Sequence, residues 1–326
     1  MLITNTLYYF LALIIAFAVT VAVAPKTIQF LKKLKFGQSI LEIGPNWHKS
    51  KQGTPTMGGV MFILAVIVVA LIFCRDLKVI ISILMALCFG AVGFIDDYIK
   101  VVRKHNQGLN VKQKLVLQFI VSAVYLWSMT ATGNMSSVIY IPFVSHGFDI
   151  GFFYYLFSLI FIVGVVNSVN LTDGIDGLAA GVSTPVFLFF AVAAILCGSR
   201  DAAIYACALA GGCLGFLVFN FYPAKVFMGD TGSLFLGGAV CSLAYALDMP
   251  LIIIIAGLIY LIEALSVMLQ VAYFKRTKKR LFKMSPIHHH FEMSGWKETK
   301  IVFVFTGVTV ILCIVAYFGI SAWYMI

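Results

Sequence analysis

The sequence predicts an all-α polytopic membrane protein of about ten transmembrane helices, and three observations lead to this class. Of the 326 residues, 62% are hydrophobic and only 11% are charged, whereas a soluble domain is about a quarter charged. The apolar residues form runs long enough to cross a bilayer. The Lys and Arg residues collect in alternate connections between those runs. We therefore treat residues 1–326 as a single integral membrane domain. Its net charge of +10 is interpreted as an indicator of membrane orientation, and no nucleic acid is expected as a partner.

Ten apolar stretches supply the predicted spans. The first is interpreted as a true transmembrane helix, because no small-residue cleavage site of a signal peptide follows it. No internal repeat or low-complexity linker divides the chain, and the eighth stretch is short. In chain order the predicted spans are 3–24, 57–74, 79–95, 115–131, 151–167, 178–197, 202–219, 233–247, 250–274 and 301–324.

The positions of Lys and Arg orient these spans, because cytoplasmic loops of membrane proteins carry an excess of both. An even number of spans places the two termini on one side of the membrane. Twenty of the 23 basic residues then fall in connections on the opposite side, which is therefore predicted to be cytoplasmic. Both termini are predicted to be extracytoplasmic, together with Arg75, Lys78 and Arg200.

The predicted cytoplasmic connections also hold acidic residues, which membrane orientation does not explain. Asp96 and Asp97 end the third span, where the negative end of the helix dipole disfavours carboxylates. Adjacent helical residues point about 100° apart, so both can address one site only if the helix ends there or the site wraps around it. The alternative is an ordinary ion pair with Lys100 or Arg103.

Two further connections combine acidic residues, asparagines and glycines. Residues 167–177 read NSVNLTDGIDG and place Asp173 and Asp176 three positions apart, on one face if they are helical. Residues 220–233 read NFYPAKVFMGDTGS, a glycine-rich turn before a helix N-terminus, where backbone N–H groups can bind a phosphate. The alternative for both segments is helix capping, by Thr172 or Asp173 in the first and by Asp230 or Ser233 in the second.

Two motifs carry lysine or histidine. Residues 48–59 read HKSKQGTPTMGG and put Lys51 beside a tight Gly/Pro turn, which suits a phosphate, although positive-inside charge also explains a lysine there. Residues 285–292 read SPIHHHFE and hold three consecutive histidines. Zinc sites on helices space two histidines four positions apart, so hydrogen bonding or phosphate binding is favoured over zinc.

The convergence of these motifs on one membrane face predicts a site that handles phosphate. Hard carboxylate oxygens suit Mg²⁺, which commonly binds through one or two carboxylates and the phosphates of a substrate. Such a site serves phosphoryl transfer, in which a metal ion neutralises developing charge and a base positions the nucleophile. We therefore expect a magnesium-dependent enzyme that acts on a lipid phosphate at the cytoplasmic face.

The sequences GFIDDY, NSVNLTDGIDG and FMGDTGS resemble those of the polyprenyl-phosphate N-acetylhexosamine-1-phosphate transferases, of glycosyltransferase family 4 type. KQGTPTMGG and PIHHHFE are similar to the bacterial phospho-N-acetylmuramoyl-pentapeptide transferases within that superfamily, and the resemblance spans the whole chain. It implies a Mg²⁺-dependent phosphoglycosyl transferase of the bacterial cytoplasmic membrane. The implied substrates are UDP-N-acetylmuramoyl-pentapeptide and undecaprenyl phosphate. The implied products are UMP and lipid I, in the first membrane step of peptidoglycan synthesis.

The resemblance also implies roles for single residues. Asp230 matches the magnesium ligand, Asp96 matches the proposed base for the lipid phosphate, and Asp97 supports the acidic site. His288 and His289 join them as expected catalytic residues. The expected substrate-binding residues are Lys51, Thr56, Asn170, Asp173, Asp176, Asn220, Phe227, Gly229, Gln270 and His290.

Two other functions stay open at the level of sequence. A sister transferase that loads N-acetylglucosamine phosphate onto the same lipid would share most motifs, and the triple-histidine loop and the Lys51 turn are the features against it. A transporter or flippase would hold ionisable residues near the bilayer midplane, but Glu263 is the one acid placed deep within a predicted span. The sequence leaves the oligomeric state open, a homodimer included.

Overall fold

The computed structural model describes residues 2–34, 53–102, 108–144 and 146–324, and within these ranges the chain is mostly helical. The helices are α1 (Leu2–Lys33), α2 (Gly59–Phe73), α3 (Leu77–Val102), α4 (Val111–Ala131), α5 (Phe152–Thr172), α6 (Leu178–Leu196), α7 (Arg200–Asn220), α8 (Gly229–Ala246), α9 (Ile253–Ala256), α10 (Leu258–Thr277), α11 (Ile287–Glu292) and α12 (Glu298–Tyr324).

Eight of these helices are long and apolar enough to cross a membrane: α1, α3, α4, α5, α6, α7, α10 and α12. The predicted polytopic helical class is therefore confirmed. The shorter apolar helix α2 has 15 residues, and the 18-residue helix α8 coincides with the eighth predicted span. The total of ten spans stays a prediction.

Several helices differ in their limits from the predicted spans, because hydropathy indicates the part of a helix that lies in lipid and not the whole helix. The first span was predicted to end at residue 24, but α1 continues through Pro25 to Lys33. The third was predicted to end at the acidic pair, but α3 runs on to Val102. The ninth, predicted over 250–274, is interrupted at Gly257, which separates α9 from α10.

A small β-hairpin on the α4–α5 connection departs from the all-α prediction. Strand β1 (Val138–Tyr140) pairs antiparallel with β2 (Gly147–Asp149), and Ile139 lies opposite Phe148. Three-residue strands are too short to give the alternation of apolar and polar residues from which a strand is predicted.

Helix α8 lies at the centre of the bundle, and its side chains from Thr231 to Ala246 are buried. It packs most extensively against α3 and also contacts α2, α5 and α6. Small residues make this possible, since helices in a membrane approach closely where side chains are absent. Gly237 lies against Val166 of α5, and Gly238 lies against Phe89 of α3.

The tightest of these approaches lies where the two acidic segments meet. A Cβ atom added to Gly93 of α3 would overlap the backbone carbonyl of Asp230 in α8. We expect Gly93→Ala to push the helices apart and to cost about 1–3 kcal/mol of stability, as overpacking of a core does. A lower thermal unfolding temperature of the purified protein checks this prediction. Gly307→Ala on α12 is the matched control, because no atom of the described part of the chain lies within 4 Å of its added Cβ.

Candidate active site

Three carboxylates from α3 and α8 form the centre of the site. One oxygen each from Asp96, Asp97 and Asp230 lies within 4.8 Å of the other two, close enough for the group to hold a metal ion. Asp96 and Asp97 are buried, whereas the Asp230 side chain keeps 17% of its surface exposed and is open to a ligand. Clustered carboxylate oxygens fit a hard divalent cation such as Mg²⁺.

Neighbouring backbone groups hold the adjacent acids in place. The backbone N–H of Leu109 donates to Asp96 Oδ1 at 2.7 Å. The backbone N–H and the hydroxyl of Thr231 both donate to Asp97 Oδ2, at 2.9 and 2.7 Å. Because the start of α8 and the segment after α3 wrap around the acids, both carboxylates reach one site although α3 continues past them.

Two lysines converge on the same carboxylates. Asp230 Oδ2 lies 2.8 Å from Lys100 Nζ and 3.0 Å from Lys114 Nζ. Lys100 Nζ also lies 2.5 Å from Asp96 Oδ2 and 3.8 Å from Asp97 Oδ1. The ion pair considered as the alternative for the acidic pair is therefore present, but it is part of a larger cluster.

Sequence reasoning named Lys100 only as an ordinary ion-pair partner and did not single out Lys114, because the positive-inside rule accounts for any lysine on this face. One signal was available. Lys100 stands four positions after Asp96, on the same helical face. The combination of acids and ammonium groups can bind a cation and the anionic oxygens of a phosphate side by side.

Asn170, in the 167–177 motif, contacts this cluster. Asn170 Nδ2 lies 2.8 Å from Asp230 Oδ1 and 2.7 Å from Ser233 Oγ. Burial, followed by the nearby charges of Asp230, Asp97 and Asp176, raises the pKa of Asp173 to about 8. The Asp173 carboxyl group therefore holds its proton to a higher pH than an ordinary aspartate does.

Helix capping does not account for the acidic motifs. Gly177 is the N-cap of α6, Met228 is the N-cap of α8, and neither helix has a side-chain cap. Asp173 instead ends α5, and Asp230 lies in the first turn of α8. The capping alternatives are therefore wrong.

Asp176 and Asn220 connect the loops of the site. Asp176 Oδ2 accepts a 2.9 Å hydrogen bond from the backbone N–H of Ala224. Asn220 Oδ1 accepts from Gly177 N–H at 3.0 Å, and its amide donates to the carbonyl of Val226 at 2.9 Å. The observed contacts fix loop positions, and direct contact of either side chain with a substrate stays a prediction.

Residues 55 and 56, which follow Gly53, lie beside the glycine-rich turn and Asp97. The Phe227 N–H donates to the carbonyl of Pro55 at 2.9 Å, which places Thr56 beside the glycine-rich turn. Gly229 has a φ of +71°, and an added Cβ would lie 2.5 Å from Asp97 Oδ2 and 2.7 Å from Thr56 Oγ1. Only glycine fits there. The residue expected beside them, Lys51, lies outside the described residues.

The histidine loop, residues 278–297 between α10 and α12, is held by hydrogen bonds to α10. Gln270 Oε1 accepts hydrogen bonds from the backbone N–H groups of Leu281 and Phe282, at 3.0 and 2.9 Å. His290 Nδ1 accepts from the Lys283 N–H at 3.1 Å, and His289 Nδ1 lies 2.5 Å from Glu292 Oε2. Gln270 thus anchors the loop, and its predicted substrate contact stays a prediction.

The loop reaches the acidic motifs through His288. Its buried ring lies against Gly174, where an added Cβ would overlap Nε2. His288 also pairs with Glu263 of α10, the acid noted within a predicted span. The structure thereby connects the histidines to the 167–177 motif and, through it, to Asp230.

Comparison with known proteins identifies the family to which these motifs belong. Residues 79–248 match the model of glycosyl transferase family 4. Residues 51–63 match signature 1 of phospho-N-acetylmuramoyl-pentapeptide-transferase.

Three curated proteins with the name phospho-N-acetylmuramoyl-pentapeptide-transferase are similar over nearly the whole chain. The protein of Caldicellulosiruptor bescii is 48% identical over 307 residues, which cover 94% of this chain and 95% of the relative. The protein of Clostridium novyi is 46% identical over 95% of this chain and 96% of its own. The protein of Caldanaerobacter subterraneus subsp. tengcongensis is 47% identical over 95% of this chain and 98% of its own. The chain therefore belongs to glycosyl transferase family 4 and, within it, to the phospho-N-acetylmuramoyl-pentapeptide-transferase family.

Proposed function

We propose that the protein transfers phospho-N-acetylmuramoyl-pentapeptide from its UDP derivative to undecaprenyl phosphate. A phosphate oxygen of the lipid forms a bond to the sugar-proximal phosphorus, the bond from that phosphorus to UMP breaks, and lipid I and UMP result. The family supports this reaction. The observation that carries it is the cluster of Asp96, Asp97 and Asp230 with Lys100 and Lys114.

Asp230 is proposed to hold Mg²⁺, since its carboxylate offers a hard oxygen in the small volume that Asp96 and Asp97 also line. When bound, Mg²⁺ would offset the negative charge that develops on the diphosphate. Asp96 is proposed to take the proton of the lipid phosphate, while the hydrogen bonds from Thr231 hold Asp97 in place. Lys100 and Lys114 are proposed to stabilise anionic oxygens of the diphosphate by direct charge pairing.

The nucleotide is proposed to bind where the motifs meet. Asn170 and Asp173 lie beside Asp230 and are proposed to contact the nucleotide, and Gly229 lets the backbone approach a ligand closely. Thr56, Phe227 and Lys51 are proposed to line the same pocket. The triple-histidine loop, held by Gln270, is proposed to face the phosphate and sugar.

Release of UMP from the purified protein in detergent tests this function. We expect turnover with UDP-N-acetylmuramoyl-pentapeptide and undecaprenyl phosphate that requires Mg²⁺ and stops on chelation. Turnover with UDP-N-acetylglucosamine, and none with the muramoyl-pentapeptide substrate, would show that the protein is the sister transferase. Release of UMP without a sealed compartment would exclude a pure transporter.

The proposed topology has ten spans, with both termini outside the cytoplasm of a bacterial cell and the site inside it. The Arg75 N–H donates to Asp201 at 2.5 Å, and Lys78 Nζ lies 2.8 Å from Asp248, so residues assigned to the outer face contact one another. These contacts support the assignment of the four residues to one face.

Reporter fusions check the topology. We expect alkaline phosphatase fused after Gly133 to be active, because the enzyme folds only outside the cytoplasm. The same reporter fused after Lys279, in the histidine loop, should be inactive. The reverse pattern would invert the membrane orientation, and activity at both positions would mean that the span count is wrong.

A further inference from the structure

A buried pair of ionisable side chains joins the membrane helix α10 to the histidine loop. Glu263 and His288 are both 0% exposed. His288 Nδ1 lies 2.9 Å from Glu263 Oε2, and the His288 backbone N–H donates to the same oxygen at 3.4 Å. A carboxylate inside a membrane helix is costly and usually has a functional partner.

Within the described residues, the other ring nitrogen of His288, Nε2, has no partner equivalent to Glu263. Among the residues that the structure describes, neither His288 Nε2 nor Glu263 Oε1 has a hydrogen-bond partner. Buried polar atoms in native proteins are nearly always paired, so an unpaired one suggests a role toward a ligand. Nε2 lies against Gly174, which is exposed between Asp173 and Asp176 in the motif of the site.

The protonation state of the Glu263–His288 pair determines whether Nε2 donates or accepts a hydrogen bond. If the carboxylate is ionised and the ring is an imidazolium, Nδ1–H points at Glu263 and Nε2–H points away. If the pair is neutral and the carboxylic acid donates to Nδ1, the remaining ring proton is again on Nε2. Both states make Nε2 a donor, whereas an ionised carboxylate beside a neutral ring would leave Nε2 an acceptor. The first two states suit a buried pair better, because neither leaves a single charge uncompensated.

We propose that Glu263 is a positioning residue that holds His288 Nε2 as a hydrogen-bond donor to an anionic oxygen of the nucleotide-sugar diphosphate beside Gly174. The inference rests on the proposed function and adds to it a residue that touches no substrate. Carboxylates likewise fix the orientation of a functional histidine ring at metal centres and in catalytic triads, although Nε2 acts there as a ligand or base.

A double-mutant cycle tests the coupling. We expect Glu263→Gln to lower kcat/KM for UMP release about 10- to 100-fold, the loss typical for an orienting partner of a functional side chain. In a His288→Gln background the same change should cost less than about threefold, because Glu263 acts through the ring and coupled residues are not additive. Thr309→Val, which removes another fully buried polar group from a membrane helix, is the matched control and should leave kcat/KM unchanged.

A spectroscopic measurement on the unaltered chain covers the case in which Glu263→Gln does not fold. In protein labelled with ¹⁵N-histidine, the signals missing from His288→Gln belong to His288, and we expect its Nε2 to be protonated. An unprotonated Nε2, or a Glu263→Gln loss that is equal in both backgrounds, would overturn the inference. If the unaltered protein released no UMP, the proposed function would fail instead, and the ring signal would still report the state of Nε2.

Discussion

Asp230→Asn should lower turnover about a thousandfold, the order expected when one preorganised electrostatic contact is removed from an active site. Asp230 is the acid at which the cluster converges, because Lys100, Lys114 and Asn170 all contact its carboxylate. The amide is nearly isosteric but neutral, so it binds a hard cation weakly. We therefore expect the dependence of rate on Mg²⁺ concentration to become much flatter, as measured by UMP release.

Asp149→Asn is the matched control for this experiment. It makes the same chemical change at an exposed carboxylate of the β-hairpin, on the α4–α5 connection that is predicted to be extracytoplasmic, and should leave turnover unchanged. Wild-type turnover of Asp230→Asn at saturating Mg²⁺ would remove Asp230 from the metal site.

Asp96→Asn should also cause a loss of about a hundred- to a thousandfold in turnover, here because a general base is removed. The lesion should be confined to kcat. The amide oxygen can still accept from the Leu109 N–H, while its NH2 group replaces Oδ2 beside Lys100. Because Lys100 also pairs with Asp230, we expect the fold to be retained. We expect the thermal unfolding temperature and the dissociation constant for UMP to stay near the wild-type values.

A covalent mechanism would give a similar loss, so a second measurement is needed for Asp96. With direct attack by the lipid phosphate, wild-type protein incubated with phosphate-labelled nucleotide substrate and no lipid should hold no covalent label. A labelled protein that loses its label in Asp96→Asn would assign a nucleophilic role to Asp96 in place of the base.

The sequence was sufficient to predict the class of fold, because segments that lie in lipid consist mainly of apolar residues. Runs of apolar residues predicted the spanning helices. Hydropathy could not predict that α1 continues to Lys33 or that Gly257 interrupts the ninth span, because both depend on helix geometry and not on partition into lipid. The hairpin was missed since its strands are three residues long.

The membership of the acidic cluster could be predicted because topology brings the motifs to one face. Its detailed contacts could not. The roles of Lys100 and Lys114 are hidden by the general excess of lysine on that face. The pairing of Glu263 with His288 joins two elements 25 positions apart, and no local pattern indicates it. The sequence does not distinguish Gly93 from other glycines in the spans, because its importance depends on the contact with α8.

Magnetic resonance of Mn²⁺ substituted for Mg²⁺ tests most directly whether the acidic cluster holds a cation and the substrate diphosphate together. With UDP-N-acetylmuramoyl-pentapeptide bound to the wild-type protein, we expect the Mn²⁺ spectrum to show hyperfine coupling to ³¹P, and we expect Asp230→Asn to lose both the bound Mn²⁺ and the coupling. Mn²⁺ that binds equally well to Asp230→Asn, or that binds wild type without coupling to ³¹P, would contradict the account.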